Sequence, residues 1–369
     1  AEDTATRAFF PSPWSGLMAA DISACNVGIL GTSLSGLDAA MAVVIQHGTF
    51  TETDNHSVTF RLDEGSESLN IVLASRSGIL PEADFYCPIP YEPLTFATEQ
   101  AIANEIATGA EGLLDRVFAL MVQELEHADP HWSKTIALNT LNADSFHDAW
   151  FAERHRHDPF RWAESNLEEV ERNKRDKRTV PWRYTILRLH EVVQDIVPHL
   201  NEKDRKRFDA GLARIFIDNY AAIPSESIRR LLALREAGII SVVALGADYD
   251  MEVKENLTVI RTQDKTYECD VFIDARGQKP LKTKDLPFPT LRKQIEATGD
   301  AIPDVGDDYT LLEPEYVRGK IAFGALPYLM HDQPFVQGLV VSAEIGEAIA
   351  QAVVRQTSKT RKRLPFIEM

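Results

Sequence analysis

The chain has 369 residues, a formal net charge of -17 and a pI near 5.1, with 44% hydrophobic and 26% charged residues. That length allows a sizeable core and two domains, and the acidic balance argues against nonspecific attraction to nucleic acid or an anionic bilayer. Cys25, Cys87 and Cys269 are too few and too scattered for a disulfide scaffold; with no membrane-spanning run and no basic-then-apolar leader, the expected setting is cytoplasmic, without membrane or nucleic-acid partners.

Residues 1–24 read as an entry segment in which Pro11-Ser12-Pro13-Trp14 prevents a continuous helix. Val27-Gly28-Ile29-Leu30-Gly31-Thr32-Ser33-Leu34-Ser35-Gly36 then reads as a strand, a tight glycine turn and a helix start, a geometry that presents backbone N–H groups to a pyrophosphate. Residues 34–46 have the helical spacing to cover that strand, 58–62 alternate like a short strand, Asp63-Glu64-Gly65-Ser66 makes a turn, and 69–74 form a β-rich run. A polar loop or hairpin is therefore expected between the first helix and the next parallel strand, which ends at Ser75-Arg76. Residues 80–97, dense in proline and aromatic side chains, predict an ordered irregular loop.

Segments 98–128, 144–177, 183–195 and 202–218 have helical character and together predict a helical insertion. Residues 164–178 carry both charge signs, as a solvated helix or connector does. Ser225 is expected to cap a helix over 227–236, with Gly238 closing it before a strand at 239–244. Residues 257–261 and 268–273 fit a hairpin about Asp264-Lys265 that feeds a core strand ending at Asp274-Ala275-Arg276-Gly277. Residues 280–319 cross over outside the sheet before a strand at 321–324 and a helix at 338–355. The expected division is 1–24 entry segment, 25–97 nucleotide-binding core, 98–224 helical insertion, 225–355 returning α/β core, and 356–369 a solvent-facing tail.

Chemistry concentrates at the turns. Ser33 stands where the G-x-G-x-x-G pattern has its middle glycine, while Gly31 and Gly36 keep the sharp turn and close helix packing; a nucleotide contact and a structural remnant both fit. Ser75-Arg76 at the following strand end favours NADP(H) over NAD(H), because arginine complements a 2′-phosphate that a carboxylate would repel; a surface arginine is the plainer reading. Arg276 adds charge beside Gly277, either for a phosphate or for pairing with Asp274.

His155-Arg156-His157-Asp158 lacks a metal pattern and reads as polar helix, and His331-Asp332 reads first as a loop-stabilising pair. Cys87 has no Cys-x-x-Cys partner, and Tyr86, Tyr91 and Phe96 either shape a pocket or pack the loop onto the insertion. No catalytic residue is singled out, and no metal site.

In combination, the glycine turn, Ser75-Arg76-Ser77-Gly78-Ile79-Leu80-Pro81, Trp182-Arg183, residues 208–224 and Gly238-Ile239-Ile240-Ser241-Val242 resemble the bacterial FAD/NAD(P)-binding flavoprotein family, distantly similar to flavin monooxygenases and pyridine-nucleotide disulfide oxidoreductases. The resemblance covers most of residues 10–355 and lacks the family's usual N-terminal FAD fingerprint. It implies an α/β, incomplete two-dinucleotide-binding flavoprotein fold with a Rossmann-like domain and a helical insertion. It also implies that Gly324, Gln337 and Gly338 lie at the flavin edge, provided that a missing portion or a second polypeptide completes the FAD site.

The expected function is an FAD- and NADP(H)-dependent oxidoreductase, monooxygenase-like, or the nicotinamide-domain portion of one, acting on a small organic substrate. A noncatalytic nucleotide-binding or structural partner derived from a flavoprotein is the alternative, so whether the chain is an enzyme stays open.

Overall fold

The computed structural model describes residues 9–14, 16–53, 57–336 and 338–361, which form two compact units. The first comprises residues up to Val192 together with Asn201–Gly277; the second comprises Val193–Leu200 and the residues from Gln278 onward.

The first unit is built on a parallel sheet of β1 (Phe9–Phe10), β2 (Asn26–Leu30), β5 (Asn70–Ser75), β6 (Ile240–Ala244) and β10 (Val271–Asp274), in the order β1-β10-β2-β5-β6. Burial on both faces explains the near-continuous apolar runs of these strands. Val27 and Ile29, Ile71 and Leu73, and Val271 and Ile273 point to one face. There they meet Leu37, Val43 and Val44 of α1 (Leu34–Val44), Leu231 and Leu234 of α10 (Ser225–Glu236), and Phe160 and Leu167 of α6 (Pro159–Asp176). Leu30, Ala74 and Phe272 point the other way, onto Ile260 and Cys269 of a three-stranded antiparallel sheet, β7 (Asp250–Val253), β8 (Thr258–Arg261) and β9 (Thr266–Cys269). The expected hairpin thus gains a third strand, while β10 follows β9 directly into the parallel sheet.

Between α1 and β5 the chain forms the antiparallel pair β3 (Gly48–Glu52) and β4 (Val58–Leu62), the hairpin anticipated there. Between β5 and β6 lie the helices α2 (Glu99–Thr108), α3 (Leu113–Ala128), α4 (Pro130–Thr135), α5 (Phe146–Phe151), α6, α7 (Pro181–Val193), α8 (Glu202–Ala210), α9 (Leu212–Tyr220) and α10. Their starts follow the capping rules: Thr98, Asp129, Asp158 and Asn201 each accept a backbone N–H of the helix that follows. The long helical expectation at 202–218 is broken at Gly211, where a Cβ would sit 2.9 Å from the carbonyl oxygen of Ala143.

Two local expectations are corrected. Ser225 does not cap a helix starting at 227; α10 begins at Ser225 itself behind Pro224, because proline's fixed φ serves the helix entry, and the Ser225 hydroxyl is buried without a hydrogen bond. Residues 321–324 are not a strand. Ala322 makes a single bridge with Thr310, since the turn at Gly319 (φ +70°) leaves too short an extended run to build a ladder. The second unit otherwise holds α11 (Pro289–Glu296) and α12 (Leu326–Leu329) around Leu286, Ile295, Leu311 and Phe323, while α13 (Gly338–Arg361) packs Ile345 with Leu329 and Val336. No helix among the described residues is long and apolar enough to cross a membrane.

Glycine at position 36 is a packing requirement. A Cβ there would lie 2.2 Å from the carbonyl oxygen of Gly31, and that backbone cannot retreat because Gly31 in turn abuts the Ala275 carbonyl. Gly36→Ala would ordinarily favour a helix by roughly 0.5–1 kcal/mol. Here the clash decides the sign, and chemical denaturation should report a loss of about 1–3 kcal/mol.

Candidate functional site

The sheet order places β5 on one side of β2 and β10 on the other, so the order in which strands are added reverses at β2, the point at which open α/β sheets hold ligands in a crevice beyond the strand ends. Several residues singled out in the sequence gather there. Gly31 (φ +140°) follows β2, and its missing Cβ makes room for the Ala275 carbonyl oxygen, which would lie 2.6 Å away. Ser33 is the exposed residue preceding α1, in extended conformation, and its hydroxyl makes no capping bond. Thr32 ties the turn to the next strand: its hydroxyl donates to the Ile79 carbonyl at 2.6 Å and lies 3.0 Å from the Ser75 hydroxyl, which also accepts the Gly78 N–H at 3.0 Å. The glycine turn and the Ser75–Gly78 loop are therefore one hydrogen-bonded unit.

Arg76 is exposed beside this unit and has no side-chain hydrogen bond or ion pair among the described residues. Arg214 of α9 is likewise unpaired. Burial first, and the nearby charge of Arg76 second, push its guanidinium below the ordinary value. Among the described residues neither guanidinium therefore has a counter-anion, and each feels the charge of the other.

At the β10 end, Arg276 is engaged differently. It bonds Asp274 through Nε (2.9 Å) and Nη2 (2.6 Å), and these bonds raise its guanidinium above the ordinary value against burial. Gly277 (φ +86°) ends the first unit. Gly324 and Gly338 belong to the second unit: a Cβ on Gly324 would meet Ile349 at 3.4 Å, and Gly338 (φ +86°) opens α13. Gln337 lies outside the described residues.

The remaining sequence candidates resolve into packing. Tyr91 sits edge-on to Tyr184, whose hydroxyl accepts the Glu92 N–H at 2.7 Å, and Phe96 packs on His127. Burial, then the charge of Asp84, push the Cys87 thiol up, away from thiolate chemistry. His331 bonds the Leu281 carbonyl at 2.8 Å. His155 and His157 do not lie on an α-helix. His155 lies within the 3-10 turn Arg154–Arg156 and His157 follows it, and both line a cavity of about 220 Å³ with Ser77, Gly78 and Ile79, just beyond the β5 and β6 ends. Among the described residues no group of three or more metal-ligating side chains could hold an ion.

A larger cavity, of about 520 Å³, adjoins that one and shares Arg154 and Trp162 with it. Four of the chain's five tryptophans line it: Trp132 from α4, Trp150 from α5, Trp162 from α6 and Trp182 from α7. Trp132 and Trp182 stack at 4.8 Å with ring planes 5° apart, and Trp150 stands edge-on to Trp182 at 5.2 Å.

Beneath them Glu82, only 9% exposed, pairs with Arg183 at 2.6 Å and accepts the Trp162 indole N–H at 2.8 Å. Arg154 bonds Asp218 at 2.6 Å and the Leu80 carbonyl at 2.6 Å. Burial pushes the Glu82 carboxyl up, but Arg183, Arg154 and the indole together outweigh it and hold the group below the usual carboxylate range. Sequence reasoning missed this cluster. The available signal was compositional: tryptophan is confined, apart from Trp14, to positions 132–182.

Removing one partner of a buried pair leaves the other uncompensated, so Glu82→Gln should cost about 3–5 kcal/mol in urea unfolding near neutral pH. Because the folded-state pKa is depressed, the unfolded chain takes up the proton first. The contribution of Glu82 is whole above about pH 4.3 and is lost as pH falls through the lower folded value. The difference between the wild type and Glu82→Gln should therefore shrink on going from about pH 7 to about pH 3.

Comparison with known proteins adds two findings. Residues 98–220, from the start of α2 to the end of α9, match the YdhS-like middle domain. The chain is also 70% identical over 365 residues to the uncharacterized protein YdhS of Escherichia coli (strain K12), an alignment that takes in 99% of this chain and 68% of that longer relative. With so much of both sequences aligned at that identity, the chain belongs to the YdhS-like family.

Proposed function

We propose that the chain is the nicotinamide-binding portion of an FAD- and NADP(H)-dependent oxidoreductase, monooxygenase-like, acting on a small organic substrate. The observation that carries the reading is the pair Arg76 and Arg214, neither with a hydrogen bond or ion pair among the described residues, Arg76 following the Ser75 that is tied to the glycine turn. Two guanidinium groups offer the charge and forked donors that a 2′-phosphate requires, and NAD(H) lacks that phosphate. The hydrogen-bonded unit of Thr32, Ser75 and Gly78, and the N-terminus of α1 with Ser33 exposed and its hydroxyl unengaged, support a dinucleotide in the crevice where the strand order reverses. Specificity is thus the role of Arg76 and Arg214, and orientation that of the turn.

The fit to FAD is poorer. Among the described residues the second unit offers Gly324 and Gly338 but no strand leading into a glycine turn, so the flavin requires a segment beyond these residues or a second polypeptide. The greater length of the Escherichia coli relative is compatible with such a segment. When bound, FAD would supply the redox chemistry, while this chain's residues bind and orient the nicotinamide nucleotide. Nucleotide binding without catalysis is the second reading, favoured by Ser33 and by the engagement of Arg276 with Asp274.

Isothermal titration with NADPH and NADH tests the proposal. NADPH should bind more tightly, and Arg76→Ala should weaken NADPH by about tenfold or more while changing NADH little. Equal losses for the two nucleotides would sink the assignment of a 2′-phosphate contact. A flavin spectrum in natively purified material separates the catalytic from the noncatalytic reading.

A further inference from the structure

The tryptophan-lined cavity lies in the first unit and stands on observations separate from the nucleotide crevice. We infer that it is a binding site for a small organic cation of the alkylammonium class, held by the indole wall and by the carboxylate of Glu169.

Six ionisable side chains line the cavity, and five of them are matched: Arg183 with Glu82 at 2.6 Å, Arg156 with Glu153 at 3.0 Å, and Arg154 with Asp218 behind the wall at 2.6 Å. Glu169 is the sixth. It has no hydrogen bond or ion pair among the described residues and is only half-buried, so its carboxylate is the one charged group of the lining left without a partner to meet an occupant. Glu169 lies seven residues after Trp162 on α6, two helical turns along the same face, which sets the carboxylate beside the aromatic surface.

An anion would find little here. The two buried arginines are neutralised, and although Nε of Arg154 has no acceptor, it is sealed from solvent and offers no contact to an occupant.

The wall itself suits a cation. Indole presents the most negative face of the aromatic side chains and binds cations that have little hydration to lose, as alkylated ammonium groups do. One such contact already exists within the chain: the Arg183 guanidinium carbon lies 4.9 Å from the Trp182 ring centroid. No cation of the chain lies over Trp132 or Trp150 among the described residues, and the Trp132 indole N–H makes no hydrogen bond there. A volume of about 520 Å³ admits a ligand well beyond the size of a solvent molecule.

The test is a titration of intrinsic tryptophan fluorescence, confirmed by calorimetry, using choline chloride as probe against sodium chloride of equal ionic strength. The neutral isostere 3,3-dimethylbutan-1-ol and the anion benzoate serve as comparisons. Saturable quenching by choline is expected, with binding of the neutral isostere weaker by about tenfold. Glu169→Gln and Trp132→Phe, both conservative changes at partly exposed positions, should each weaken choline severalfold while circular dichroism and the melting temperature stay unchanged. Absence of saturable binding, equal affinity for the alcohol, preference for benzoate, or full choline affinity in a folded Glu169→Gln variant would each overturn the assignment. None of these readouts requires a bound nucleotide or flavin, so failure here is separable from failure of the oxidoreductase reading.

Discussion

Glu82 sits seven residues beyond Ser75, on the loop that leaves β5, yet its carboxylate is held by side chains of α6 and α7 from the middle of the helical insertion. A buried carboxylate with fewer partners would take up a proton or draw water inward. With Arg183, Arg154 and the Trp162 indole around it, the charge stays and the surrounding elements must stay with it. The same loop is gripped again farther along, where Glu124 of α3, 2% exposed, accepts the backbone N–H groups of Thr95, Phe96 and Ala97. These carboxylates give a proline-rich segment without regular structure a defined course. Both cavities and the end of β5 inherit their geometry from it.

Much of the sheet was legible because its information is local. Val27-Gly28-Ile29-Leu30 followed by Gly31 and Gly36 encodes strand, turn and helix within ten positions, and the structure realises each of them. The alternation at 58–62 revealed β4, although its partner β3, mostly polar and exposed, carried almost no hydrophobic signal. At 321–324 the composition was that of a strand, but among the described residues only the single bridge of Ala322 with Thr310 forms, because the turn at Gly319 cuts the extended run short.

The candidate site divides along the same line. Gly31, Ser33, Ser75 and Arg76 could be identified by their order along the chain. Arg214 and the tryptophans could not, because α4, α5, α6, α7 and α9 bring them into position only through tertiary packing. Glu82 was hidden for a related reason: in a loop crowded with proline and tyrosine, one carboxylate looks like ordinary surface until Arg154 and Arg183 arrive from distant parts of the chain.

The grip of Glu82 also bears on modularity. The stretch recognised as a middle domain runs from 98 to 220, which includes Arg154, Arg183 and Asp218 but leaves out Glu82. Cut at those limits, the segment would keep one guanidinium in its interior without the carboxylate that neutralises it. The stretch matched as a middle domain is therefore smaller than the set of charges that neutralise one another, and a substitution at 82 is felt at 183, across that boundary.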